Sequence, residues 1–221
     1  PLARRLGLVH VNPQGILFVG AHAWARAMAE ALSSEGCAVA LIDTDWENVR
    51  DGRIAGLKCH YGSALAEQTR EEIDFGGLGR MLAVTPNNAV NALACLRYAE
   101  DFGRQEVYQL PFEMGQEGRH EAVSLEQRGR LLFHPELTFA RISDMMRLNH
   151  RIQKTRLTVE FDYKAFQSHH GKAAVPLFVL QPDGSLHVCT ADNVVEPKPG
   201  DVVFSFIEPV DRESPSPHPC G

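Results

Sequence analysis

From residue 15 to residue 112, short apolar runs alternate with amphipathic segments, a pattern few folds can accommodate. Ile16–Val19 is apolar throughout, as in a strand buried on both faces inside a parallel sheet. Ala23–Ser34 follows with Ala25, Met28, Ala29 and Leu32 at helical spacing, and Gly36 stops that helix. Cys37–Ile42 reads as the second strand, closed by Asp43, with Asp45 as N-cap of a helix over Trp46–Ala55. Lys58–Tyr61, Arg80–Val84 and Glu106–Leu110 continue the strand series, and Ala64–Ile73 and Asn88–Phe102 the helices. Parallel neighbours need a crossover, and a right-handed crossover usually carries a helix. The expected class is therefore α/β, a Rossmann-like doubly wound parallel sheet.

Beyond residue 112 the pattern changes. Residues 113–129 are polar and glycine-bearing and read as a linker or exposed loop. Leu131–Phe133 is a candidate sixth strand, and Pro135–Asn149 a helix with proline in its first turn. Leu157–Phe161, Val175–Leu180, Leu186–Thr190 and Val202–Ile207 are strand-like, Pro182-Asp183-Gly184 supplies a hairpin turn, and Tyr163–His169 reads as a helix. The expected division is an N-terminal segment 1–14, a nucleotide-fold domain 15–130, a smaller, mostly β module 131–210 and a tail 211–221. The Pro/Ser-rich run SPSPHPCG predicts disorder in that tail.

Net charge of −6 with scattered basic residues argues against a nucleic-acid partner. The 5 cysteines form no close pair, which fits a reducing compartment better than zinc or redox chemistry. No apolar run reaches the roughly 20 residues a membrane helix needs, and no signal peptide precedes the first strand. The chain opens on Pro1, which predicts a fragment or processed product with further function upstream. GxSxG, HExxH and Cys/His nucleophile patterns are absent, so the expectation is a protein that is not an enzyme.

The chemistry concentrates in GILFVGAHAWARAMAEAL, residues 15–32. A strand, a glycine turn and a helix N-terminus present free N–H groups and a dipole to an anion. Gly20, Ala21, His22, Ala23, Trp24, Ala25 and Arg26 are the candidate cofactor-binding loop. Asp43, ending the second strand, stands where this fold places the acid that bonds a ribose, with Thr44 and Asp45 beside it. Gly62, Ser63 and Ala64 follow the third strand, and Thr85 and Pro86 the fourth; such ends line the ligand crevice of an open parallel sheet. Turn chemistry is the simpler role for both, with Ser63 or Asn87 capping the next helix.

His22 stands where the second loop glycine admits a pyrophosphate, and Ala25 replaces the third. An imidazole crowds that approach, yet it can donate to a single phosphate, which favours a mononucleotide, and it predicts pH-dependent binding near neutrality. Arg26, a cation in the first helical turn, points to a bound anion, and Trp24 to a packing role. The motif alone leaves two readings open: a modified nucleotide loop, or the same scaffold without nucleotide.

GAHAWAR (20–26), LIDTD (41–45), HYGSAL (60–65), AVTPNNAVN (83–91) and EVYQLPF (106–112) together resemble the RCK-type (Trk/Kef-like) N-terminal domain. Ser63 stands where that family's Gly-Asp-Ala turn has an acid. LIDTDWENVR and GGLGRMLAVTPNNAVNALACLRYAE look most like the domain attached to NhaP-like sodium/proton antiporters. The resemblance implies a regulatory nucleotide-binding domain of a cation/proton antiporter, at the cytoplasmic face of the inner (plasma) membrane. It implies NAD(H) or an adenine mononucleotide (AMP, ADP or ATP) as ligand, a membrane transport domain in the same polypeptide, and a homodimer. PLFVLQPDGSLHV and PKPGDVVFSF are similar to the family's smaller β-rich module, associated with effector binding or assembly. The alternatives are a soluble NAD(P)-dependent oxidoreductase and a nucleotide-free dimerisation scaffold.

Overall fold

The computed structural model describes residues 13–112, 129–171, 174–193 and 195–208. The expected tail 211–221, the linker 113–129 except Gly129, and all but the last two residues of the segment 1–14 lie outside them.

The expected alternation forms one sheet. β1 (Gly15–Val19), β2 (Val39–Asp43), β3 (Lys58–Tyr61), β4 (Leu78–Ala83), β5 (Val107–Gln109) and β6 (Arg130–Leu131) pair in parallel, in the order β3-β2-β1-β4-β5-β6. Helices α1 (Ala23–Ser33), α2 (Trp46–Ile54), α3 (Glu67–Glu71) and α4 (Asn88–Phe102) make the crossovers. The order reverses direction between β1 and β4, the switch point at whose carboxyl strand ends open α/β sheets bind ligands.

Strand periodicity divides the core. Ile16 and Phe18 face α1 with Ala25, Met28 and Leu32, whereas Leu17 and Val19 face α4 with Ala94 and Tyr98. The α1 side continues into the second module. There α5 (Phe139–Arg147), β7 (Arg151–Arg156), α6 (Tyr163–His170), β8 (Val175–Leu180), β9 (Leu186–Val188) and β10 (Val202–Ile207) follow, with the strands in an antiparallel sheet ordered β7-β10-β8-β9. Phe178, Phe204 and Phe206 of that sheet join the same apolar cluster as Ile16 and Met28. Lys154 Nζ ties the modules at the surface, donating to Ser34 Oγ and Glu35 Oε1 at 2.8 Å each.

Four expected elements differ. Leu157–Phe161 is not a strand: Thr158 N–H bonds Phe161 O and Phe161 N–H bonds Thr158 Oγ1, closing a turn. The strand is β7, RIQKTR, whose charges suit the edge of a sheet and hide its period. The helix expected over Pro135–Asn149 starts only at Phe139, because Thr138 Oγ1 accepts from Arg141 N–H, and it is over before Asn149, at φ 63°. The helix expected over Ala64–Ile73 shrinks to Glu67–Glu71, since Ser63 Oγ holds Leu65 N–H in a turn ahead of it. The sixth strand is Arg130–Leu131 rather than Leu131–Phe133, the backbone leaving the sheet at Phe133 with φ 60°.

Candidate functional site

The β1–α1 loop turns on Gly20, at φ 115°, a conformation that favours glycine. The turn leads directly into α1, whose N-cap is His22. No side chain caps this helix and no acid sits in its first turn, so the leading N–H groups keep their dipole for an outside anion. Ala23, at the tip, is exposed, while Ala21, Trp24 and Ala25 are buried in the α1 face of the core.

Asp43 fastens this loop to the end of β2. Its Oδ2 accepts from Ala21 N–H at 2.7 Å and from Asn48 Nδ2 at 3.2 Å, and its Oδ1 from Asp45 N–H at 2.8 Å. A carboxylate offers about four lone-pair positions, so these bonds leave capacity for a ribose hydroxyl. Asp45 caps α2, as its position predicts, accepting from Glu47 N–H at 2.8 Å, and Thr44 is exposed between the two acids.

Arg26 has protein partners rather than an open position. Its Nη1 donates to Ala21 O at 2.7 Å and to Asn48 Oδ1 at 3.2 Å, and its Nη2 lies 3.5 Å from Asp51 Oδ2. The guanidinium is thus a brace for the loop, which accounts for a cation in that helical turn without a bound anion.

His22 turns away from the tip. Its Nε2 donates to Val84 O at 2.7 Å, across the seam between β1 and β4. The ring stands 4.1 Å from Trp24 and 4.9 Å, edge-on, from Phe139 of α5. A Cβ placed on Gly20 would come within 3.3 Å of His22 Nε2, so the imidazole lies directly over the glycine turn. Burial lowers its pKa to about 4, outweighing the Val84 carbonyl and the Asp43 charge, with Arg26 adding to the lowering. With Nε2–H given to Val84, Nδ1 is buried and has no hydrogen-bond partner among the described residues. Protonating it would bury an unpaired donor. The expected titration near neutrality is therefore corrected: the ring stays neutral from pH 6 to 8.

At the other strand ends, turn chemistry prevails. Gly62 N–H bonds Asp43 O at 2.9 Å, and a Cβ there would meet Thr69 Oγ1 at 2.5 Å. Ser63 closes its turn without capping α3, whose N-cap is Ala66, and Ala64 is buried. Asn87 does cap α4, accepting from Ala89 and Val90 N–H. Thr85 is locked to the buried Asn91, which accepts from its N–H and hydroxyl and donates to its carbonyl, while Pro86 is exposed. The structure thus gathers Gly20–Arg26 and Asp43–Asp45 at one place; Gly62 joins them through Asp43 O.

Several residues of this site went unmarked in the sequence. Trp46 and Tyr61 are 51% and 54% exposed, with ring centroids 5.6 Å apart at a right-angled tilt, and Arg53 lies over Trp46 at 5.5 Å. Tyr61 is in register with Asp43 on the neighbouring strand, so the aromatic pair stands beside the carboxylate. Two large exposed rings directly after an N-cap and at a strand end were the available signal. Phe139 gave none, since it packs on His22 and Trp24 far away in sequence, and Asn48 little, since its bond to Arg26 needs α2 to pack against α1. A cleft of about 450 Å³, lined by Gly15, Glu35, Cys37, Gly77, Arg156 and Val202 among others, opens at the amino ends of the strands and shares no residue with the loop.

A parallel sheet reversing direction at a glycine loop, with an acid at the end of β2, defines a nucleotide-fold domain. Residues 16–109, a little under half of the chain, match the family model of the TrkA-N domain. Among solved structures, the TrkA-N domain of inner membrane protein ybaL from Escherichia coli is similar at 16% identity, with a TM-score of 0.40, over 45% of this chain and 74% of that one. The NAD(P)-binding domain of an exopolyphosphatase-related protein from Archaeoglobus fulgidus is similar at 13% identity, TM-score 0.44, over 62% and 96%. The GsuK channel bound to NAD is similar at 14% identity and TM-score 0.44; the match covers 93% of this chain but 40% of the channel. No curated protein sequence matches the chain. Among the described residues no helix is long and apolar enough to cross a membrane.

Proposed function

We propose that this chain is the cytoplasmic regulatory domain of a membrane cation/proton antiporter, and that a nucleotide at the β1–α1 loop biases the transporter between states. The observation that carries the reading is the joining of an uncapped helix N-terminus to an acid at the end of β2, through the Ala21–Asp43 hydrogen bond. Phosphate suits the first turn of α1 and ribose suits Asp43, the ligand being NAD(H) or an adenine mononucleotide. The transport context comes from the RCK-type match together with the NhaP-like sequence of LIDTDWENVR. The transport domain belongs to the same polypeptide, the domain pairs as a homodimer, and it performs no catalysis. A ligand acts on such a system only through different affinities for its states.

The test is calorimetric titration of the chain with NAD⁺, NADH, AMP, ADP and ATP, with thermal melting alongside. Saturable binding by at least one of them is expected, and Asp43→Ala should weaken it by about 1.5–3 kcal/mol, the range for a hydrogen bond to a charged group. A folded protein that binds none of the five overturns the nucleotide reading and leaves a scaffold. Hydride transfer to carbonyl substrates would favour an oxidoreductase instead. A coding sequence without membrane spans upstream of Pro1 would remove the antiporter.

A further inference from the structure

We propose that the crevice takes an adenine mononucleotide and excludes dinucleotides, with His22 as the residue that sets this specificity. The inference rests on the proposed nucleotide function and narrows its ligand. In this fold an extended dinucleotide crosses the seam where the strand order reverses, its phosphates on the glycine loop and its two nucleosides on opposite sides. Here the two sides of that seam differ.

On the β2–β3 side the groups that a nucleoside needs are present and accessible. The leading N–H groups of α1 face a phosphate, Asp43 keeps an acceptor position for a ribose hydroxyl, and Trp46 and Tyr61 offer half-exposed rings for a base. On the β4 side the path is closed. The His22 ring lies over Gly20, donates to Val84 O at 2.7 Å and packs against Trp24 and Phe139. The second nucleoside would have to displace that ring, break the Val84 hydrogen bond and part α5 from the first turn of α1. Trp24, 3% exposed and 5.6 Å from Phe139, holds the ring from behind. A ligand that ends at its phosphates avoids all of this.

The experiment is isothermal titration of the full chain with AMP, ADP, NAD⁺ and NADH, repeated on His22→Gly and His22→Ala, with melting curves to confirm folding. AMP or ADP should bind the native chain at least tenfold more tightly than NAD⁺ or NADH. His22→Gly should strengthen dinucleotide binding at least tenfold and leave the mononucleotide within about twofold. His22→Ala, which removes the ring but keeps a Cβ, should give an intermediate gain. Dinucleotide binding to the native chain equal to that of AMP overturns this inference alone. Variants that fold but gain no dinucleotide affinity overturn the role of His22. Absence of all binding overturns the nucleotide reading and this inference with it.

Discussion

On the β2–β3 side of the β1–α1 loop the sheet ends in a carboxylate, an amide and half-exposed rings, whereas on the β4 side it ends beneath His22, Trp24 and Phe139. β2, which flanks β1 on one side, is buried except at its last residue, Asp43, whereas β4 on the other is buried over its last three residues, and the segments beyond them widen the difference. After β2 the chain turns into the Asp45 cap of α2 and after β3 into the Ser63 turn, with Trp46 and Tyr61 exposed beside them. β4 also ends in a polar cap, Asn87 of α4, but α5, which follows β6 in the chain, places Phe139 over the loop beside it. One sheet thus has an exposed polar edge and, a few residues away, an apolar interface built from the same loop. A ligand bound as proposed at the polar edge would share the first turn of α1 with the packing of His22 and Trp24 against Phe139.

If the β4 side is core, its removal must be expensive. Trp24→Ala should cost about 3–5 kcal/mol in urea unfolding, the usual loss for an aromatic side chain cut from a packed interior. A loss below about 1 kcal/mol would make the interface a loose contact and break the contrast. The next effect is the pH response of the same cluster. The His22 pKa falls from 6.5 to about 4 on folding, so the fold favours the neutral ring. Its contribution is complete above pH 6.5, diminishes as pH falls towards 4, and amounts to at most roughly 3 kcal/mol. His22→Gln keeps an N–H for Val84 and does not titrate. The native chain should therefore lose stability relative to this variant between pH 6.5 and 4, measured by denaturant unfolding. A constant difference across that window would place the imidazole in water.

The polar edge was largely legible in the sequence and the sealed edge was not, for physical reasons. Gly20, Asp43 and Asp45 act within their own turn or on the neighbouring strand end, so local spacing announces them. The order of apolar runs gave the parallel sheet because a run such as β1 is buried on both faces. His22 read as an obstruction to phosphate because nothing local shows that its ring turns towards Val84, 62 residues on. Arg26 read as an anion ligand because Asn48 and Asp51 approach it only after α2 packs. β7 carries no local signal, because an edge strand of charged residues has no apolar period, and the apolar signal falls on Leu157 beyond it. Both the missed strand and the misread side chains depend on partners that only the assembled fold brings near.

The smallest expected change in stability tests the open side. Trp46 is half-exposed and makes an edge contact with Tyr61 and a cation–π contact with Arg53, so Trp46→Ala should cost under about 1 kcal/mol in unfolding. A base resting on its face loses more than the fold does: about 1–3 kcal/mol of binding, as for aromatic platforms that stack bases elsewhere. A ligand surface is recognised by that inversion, a side chain whose deletion costs more in affinity than in stability. Trp24 should show the reverse, a large loss of stability and, in whatever fraction remains folded, no loss of base stacking. If Trp46→Ala instead unfolds the chain, or leaves AMP affinity untouched, the aromatic pair is packing and the β2–β3 side loses its claim to the base. If both tryptophans behave alike, the two sides of the loop are one surface and the seam between β1 and β4 marks no boundary of function.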